Sequence, residues 1–568
     1  MRSTLLVRVA GLLLLAPLAG AAADYDLIIR NGRIIDGTGS PWYRADLAVR
    51  DGRIAAIGKL AGARARRTFD ARDRVVAPGF IDMLAQSELT LLVDPRAPSK
   101  IFQGITTLVT GEGESVAPLN EAMIRERGAR YERLHLTPDW RTLGQYFARL
   151  ERQRIGVNFA TFIGATSVRE MVVGYADRAP SAPELRRMQA LVAEGMQQGA
   201  VGVSSALEYP PAPYARTEEL IALAQAAARF GGSYATHLRD EGDQEPAALD
   251  EAFRIGREAQ LPVEIWHLKV SGHGNFGHMP QVIARIDAAR AAGLDVGADT
   301  YAYTAWSNRL SAFTPPWANE GGRESLLARL RDPAQRARMR QDMLKAGDWD
   351  NEWLEIGGPE DVMVTEVGHA PLRAYQGKRL SEIAAEWHED GIDAIFDLLL
   401  KDEGATYVAV FGMSEPDVAL AVQQPWVAFD TDSDATSPEG LLGLDHPHPR
   451  AYGTYPRVLA MYVRAEGRLS LAEAIRKFSA LPAARLRLAD RGVLKEHLWA
   501  DIVVFDPDTI HDVATYEDPN RLAVGMDYVL VNGVPVIEEG HMTGALPGKV
   551  LRGPGYHAPV PDSGRRAD

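Results

Sequence analysis

The chain of 568 residues contains no cysteine. That excludes disulfides, thiolate nucleophiles, cysteine-ligated zinc, iron–sulfur clusters and a lipidated N-terminal cysteine. Any metal site must therefore draw on histidine and carboxylates. Positive charge is also in short supply. Lys plus Arg number 62 against 76 Asp plus Glu, a formal net charge of −14, which disfavours nucleic acid or anionic lipid as a general partner. No lysine occurs between residues 101 and 268, so a carboxylated lysine cannot bridge metals from the early strands. Long apolar runs are missing beyond the N-terminus. There, Arg2 and Arg8, a Leu/Ala run and Ala21-Ala22-Ala23 read as a signal peptide over residues 1–23. The run is short of the roughly 20 residues that a membrane span needs. An uncleaved anchor is the alternative. For a bacterial source the mature protein is expected in the periplasm or secreted, with no membrane span.

What is present is ordinary globular composition, 46% hydrophobic and 24% charged. Residues 24–76 alternate apolar and polar positions between Asx-Gly turns (Asn31-Gly32, Asp51-Gly52), the pattern of β-hairpins. Residues 491–555 repeat this style, with Ala500-Asp-Ile-Val-Val-Phe505 and Asp527-Tyr-Val-Leu-Val-Asn-Gly533. One β-sandwich domain built from both chain ends is expected, followed by a flexible tail over 556–568. Between the ends, strand and helix patterns recur about every 30 residues, the period of βαβ units. Strands are expected at Ser233–Arg239, Pro262–Lys269, Leu294–Tyr303 and Pro425–Asp430. Ser181-x-x-Glu184 opens a helix as a capping box. The fold class is α/β, a TIM-type (β/α)8 barrel over 77–490 with an inserted lid over about 315–413. An open doubly wound sheet is the rival, but no Gly-rich phosphate fingerprint follows a strand.

Histidine is scarce, 13 in all, so placement is informative. His237 and His267 end consecutive expected strands, at the rim where barrel enzymes build active sites. Two imidazoles there suit a metal. Asp430, Asp432 and Asp434 follow a late strand, and one of them suits a general base for hydrolysis; the pattern leaves the three equivalent. Gly111-Glu-Gly-Glu114 follows another strand, where a Glu could complete a metal site, though a surface turn is the plainer reading. Lys269, Tyr301, Ser307 and Arg450 together suit a substrate carboxylate. His446 and His448 read as loop residues.

These segments resemble the D-aminoacylase (N-acyl-D-amino-acid deacylase) branch of the metal-dependent amidohydrolase superfamily over most of the mature chain. The resemblance is carried by Ala77-Pro-Gly-Phe-Ile-Asp82, Gly104-Ile-Thr-Thr107, Tyr209-Pro-Pro-Ala-Pro-Tyr214 and Ala235-Thr-His-Leu-Arg-Asp-Glu-Gly242. It continues through Trp266-His-Leu-Lys269, Asp299-Thr-Tyr-Ala-Tyr303, His448-Pro-Arg-Ala-Tyr-Gly453 and Gly544–Arg552. It implies hydrolysis of N-acyl-D-amino acids, with His237 and His267 as metal ligands and Asp432 as the catalytic Asp. It implies Lys269, Tyr301, Ser307 and Arg450 as the carboxylate clamp, with Tyr209 and Arg169 as further substrate contacts.

Three departures stand out. Leu84 and Gln86 occupy the places of a His-x-His pair, Ala165 the place of a His, and Gly111-Glu-Gly-Glu114 the place of a ligating Cys. A single Zn2+ on His237, His267 and Glu112 (or Glu114) is therefore expected. A dipeptidase, lactonase or cyclic-amide hydrolase on the same scaffold is the alternative, and a non-catalytic periplasmic binding protein a more remote one.

Overall fold

The computed structural model describes residues 23–557. The expected signal peptide, apart from Ala23, and the expected tail beyond residue 557 lie outside the described residues. Among the described residues no helix is long and apolar enough to cross a membrane.

Both chain ends contribute to one nine-stranded sheet. The halves join where Val75–Pro78 runs antiparallel to Ile502–Phe505, with Ala77 opposite Val503. Leu27, Ile29, Val49, Ile502 and Leu530 are buried together in this domain, as alternation along half-buried strands requires. The last residues do not stay with that sheet. Phe159 N donates to Lys549 O at 2.9 Å and Leu551 N to Phe159 O at 2.7 Å. Residues 547–553 thus run along a barrel strand rather than within the terminal domain. No local period marks this exit, because the contact is made 390 residues back in the chain.

The central region consists of short parallel strands buried on both faces. Phe80–Asp82, Ile105–Thr110 and Asn158–Thr161 pair in order. Gly202–Ala206, Ser233–His237, Val263–Ile265, Val296–Thr300 and Val427–Phe429 follow in the same way. Backbone bonds cross both seams: Val201 N to Thr161 O at 2.9 Å, and Asp432 N to Leu84 O at 2.9 Å. The result is a (β/α)8 barrel. The helix Ala182–Gln198 illustrates how sequence places the outer layer. Glu184 Oε2 accepts from Ser181 N at 2.7 Å, and Gly199 ends the helix at φ 119°.

An inserted unit covers the mouth. Its sheet is antiparallel, Trp306–Arg309 and Val362–Glu366 flanking Tyr407–Val410. It starts ahead of residue 315, because Trp306–Arg309 finds its partner about 100 residues later, beyond the reach of local pattern.

One buried cation ties the first strand to the last. Lys100 and Asp82 side chains are both fully buried, with Nζ 3.0 Å from Asp82 Oδ2. Nζ also donates to Thr431 Oγ1 and, at 2.8 Å, to Ser433 O. Asp82 Oδ1 accepts from Thr431 N at 2.8 Å. Removing one partner leaves the other charge buried and alone. Lys100→Met should therefore lower unfolding free energy by about 3–5 kcal/mol, measured by urea denaturation.

Candidate functional site

The carboxyl-end rim of the barrel and the inserted unit enclose a cavity of about 210 Å³. Glu112 enters it from the turn after Ile105–Thr110. Gly111 and Gly113 flank it at φ 94° and 60°. A Cβ on Gly111 would lie 2.6 Å from Phe162 O, and one on Gly113 2.4 Å from Ala206 N. Only glycine permits this turn.

His237 closes its strand. His267 does not: the strand ends at Ile265, and His267 takes a left-handed backbone, φ 37°, with its N–H donated to Asp299 Oδ1 at 2.6 Å. Lys269, two residues on, therefore does not share a strand face with His267 by alternation, yet it still arrives beside it. Its Nζ lies 2.8 Å from His267 Nδ1 and is paired with Glu241 Oε2 at 2.5 Å.

Three donors converge at the centre. Atoms of Glu112, His237 and His267 lie within 4.8 Å of one another. Glu112 Oε1 is 2.8 Å from His267 Nε2 and 3.3 Å from His237 Nδ1, and the two ring nitrogens are 3.0 Å apart. Their outer nitrogens are held by Glu208 (2.9 Å to His237 Nε2) and Glu241 (3.1 Å to His267 Nδ1). Burial disfavours charge on His237, but the carboxylates of Glu241, Glu112 and Glu208 outweigh it and push the imidazole up to about 10. Burial likewise opposes ionisation of Glu112, while its bonds to both imidazoles hold it well below the usual range. Two imidazoles and a carboxylate in a negative field fit a divalent metal such as zinc.

Glu114 is placed differently. Although buried, it is gripped by Arg309 at 3.1 Å through both oxygens and is held at about 2.

Asp432 reaches the cavity from a left-handed residue, φ 41°. Its Oδ2 is 2.9 Å from Arg450 Nη2 and its Oδ1 3.2 Å from Gln86 Nε2. Asp434 is engaged by Arg130 at 3.2 Å. Asp430 is fully buried beneath the site, where burial and Asp432 push it up to about 7. Leu84 is buried in an apolar cluster, and Gln86 Nε2 also donates to Glu112 Oε2.

The Arg450 guanidinium stacks over Tyr301 at 4.5 Å. Its Nε and Nη1 are buried without partners. His448 Nδ1 accepts from Arg450 N at 3.0 Å, fixing the start of that helix. His446 instead faces Tyr516 O at 2.6 Å. Ser307 lines the cavity and offers its carbonyl to Arg450 Nη2 at 3.4 Å. Tyr209 also lines it, with its ring 4.9 Å from that of His237. Tyr301 does not line it; it supports Arg450 from behind.

The expectation that Arg169 touches substrate is corrected. Arg169 is buried away from the cavity, paired with Glu219 at 2.6 Å and donating to the carbonyls of Ala176 and Arg178. The resemblance implied a substrate contact there, but a carboxylate from another helix claims the guanidinium. Gln86, Glu208 and Glu241 are the cavity residues that sequence reasoning missed. Their only signal is adjacency to the motifs around Asp82, Tyr209 and His237.

Residues 67–537 match the family model described as "Amidohydrolase family". D-aminoacylase from Alcaligenes xylosoxydans xylosoxydans is 38% identical over 537 residues, covering 93% of this chain and 97% of that protein. The chain belongs to the D-aminoacylase branch of the amidohydrolase family. N-acyl-D-glutamate deacylase of the same organism is 35% identical over 541 residues, 95% of this chain and 99% of that one. The solved N-acyl-D-glutamate deacylase of Bordetella bronchiseptica, complexed with zinc and a phosphonate mimic of the tetrahedral intermediate, aligns with a TM-score of 0.77 at 34% identity. It covers 93% of this chain and 99% of its own.

In this amidohydrolase, Arg169→Met should lower the thermal unfolding midpoint, because Glu219 is left buried without its partner. The KM for substrate should not change. A raised KM without lost stability would return Arg169 to the site.

Proposed function

We propose that this chain hydrolyses the amide bond of N-acyl-D-amino acids in a metal-dependent reaction, releasing a carboxylic acid and the free amino acid. The observation that carries this reading is one cavity holding both the Glu112–His237–His267 donor set and the partly unpaired Arg450 guanidinium beside Asp432. Relatives alike over nearly the whole chain are D-aminoacylase and N-acyl-D-glutamate deacylase.

His237, His267 and Glu112 would hold one Zn2+. When bound, zinc supplies Lewis acidity for the acyl carbonyl and for water. Asp432 takes the proton of the attacking water on a carboxylate oxygen and passes it to the leaving amine. Arg450, whose Nε and Nη1 have no partner within the protein, offers an N–H donor and its charge to the substrate carboxylate. Ser307 and the Lys269 ammonium, anchored by Glu241, complete the clamp. Tyr301 contributes by backing the guanidinium, and Tyr209 by packing on His237. The inserted unit excludes water. Leu84 cannot ligate, and Gln86 is occupied with Glu112 and Asp432, which supports a single metal. Glu112, rather than Glu114, is the third ligand because Arg309 already neutralises Glu114.

Purified protein should carry one zinc per chain by elemental analysis. Glu112→Gln should lose it, while Glu114→Gln keeps it. Asp432→Asn should retain the metal yet lower kcat by about 10²- to 10⁴-fold. Arg450→Ala should raise KM for N-acetyl-D-amino acids and spare an uncharged lactone. Unchanged amide hydrolysis in Asp432→Asn would refute the mechanism. We also propose export: the mature protein is periplasmic or secreted, and N-terminal sequencing of it should begin near Asp24.

A further inference from the structure

Along one side of the cavity stand five carboxyl groups that this mechanism does not use as charges: Glu208, Asp240, Asp350, Glu352 and Glu355. Four of them line it. Asp240 lies alongside, with a carboxylate oxygen within 4.8 Å of those of Asp350 and Glu355. Asp350 is 7% exposed and Glu352 2%. Among the described residues none of the five pairs with a Lys or Arg; Glu208 meets His237 and Glu352, and Asp350 meets Glu355. The Lys and Arg side chains of the cavity, by contrast, are each held by another carboxylate. Glu208 Oε1 and Asp350 Oδ1 are buried and accept no hydrogen bond. Burial, together with Asp240, pushes Glu355 up to about 8. Buried carboxylates without counter-charge are costly and are found paired when the site is filled.

The wall borders the path of the substrate. Glu208 touches His237 at one end. Beside Glu208, Glu352 is bound by Trp306 Nε1 (3.4 Å) and Asn308 Nδ2, the residues on either side of Ser307. It is poorly made for a hard metal ion. Asp240 Oδ1 already accepts from Gly242 N and Gln244 N, and Asp350 Oδ2 from Glu241 N. The oxygens left over are too few for a calcium cage of about 6–8 ligands. Single oxygens spread along a cavity suit the several N–H donors of an organic cation.

We propose that this acidic wall binds an ammonium or guanidinium group carried by the substrate. The inference rests on the deacylase reading and adds the substrate's charge to it. The cation can belong to the amino-acid side chain or to an aminoacyl group on its nitrogen. Two matched pairs separate these sources in zinc-replete enzyme: N-acetyl-D-arginine against N-acetyl-D-citrulline, and glycyl-D-leucine against N-acetyl-D-leucine. At least one pair should favour the cation in kcat/KM by about tenfold or more. That ratio should fall toward one in Glu352→Gln and, separately, in Asp350→Asn. If N-acetyl-D-leucine is hydrolysed and both ratios stay near one, the wall does not bind a substrate cation, while the deacylase reading stands. If no amide of the panel is hydrolysed, the deacylase reading falls and this inference with it. A second divalent ion held by the wild type and lost in Asp350→Asn would also overturn it.

Discussion

Two imidazole nitrogens 3.0 Å apart in a buried, carboxylate-rich setting set the terms for the whole cavity. Two such nitrogens face each other this closely only with a hydrogen or a cation between them, because two lone pairs repel. Glu112, Glu208 and Glu241 surround them and make positive charge there favourable. The rest of the site follows from this excess of negative charge. Lys269 is drawn in against Glu241, and Arg450 against Asp432. Arg450 keeps Nε and Nη1 without a partner in the protein, the strongest place left for an anion.

The barrel delivers these groups by abrupt changes of backbone direction at strand ends. His267 and Asp432 both sit in the left-handed region, and Gly111 and Gly113 do so around Glu112. Each turn is over-determined by a buried partner. Asp299 holds His267 N, and the Asp82–Lys100–Thr431 cluster holds the residue before Asp432. Strain at a functional position persists only where the surroundings impose it. The same cluster ties the first barrel strand to the last, so closure of the barrel and aim of Asp432 are one arrangement.

The positions at which the chain departs from the pattern the resemblance implies form a coherent set in the structure. Leu84 enters an apolar cluster. Gln86, a neutral side chain, satisfies Glu112 and Asp432 at once. Glu112, in the segment where the resemblance implies a cysteine, stands on a glycine-flanked turn. Within one cavity, Gln86 and the carboxylates around the imidazoles hold a single donor set, while five carboxyl groups without a Lys or Arg partner gather in the wall beneath the inserted unit.

The order of βαβ units, the helix caps, the paired β-rich ends and the positions of His237 and His267 were legible because each is a local pattern of a few to about 30 residues. Among Asp430, Asp432 and Asp434 the residue pattern was neutral. Tertiary contacts separate them, burying Asp430 by Asp299 and giving Asp434 to Arg130. Glu112 and Glu114 were equivalent as letters until Arg309 claimed the second. Arg169 was misread for the same reason, since Glu219 reaches it from another helix. What sequence alone determined were the elements, their order and the chemistry available at strand ends. Which charge meets which was decided only in three dimensions, because electrostatic partners here are supplied by elements tens to hundreds of residues apart, and burial makes each pairing count.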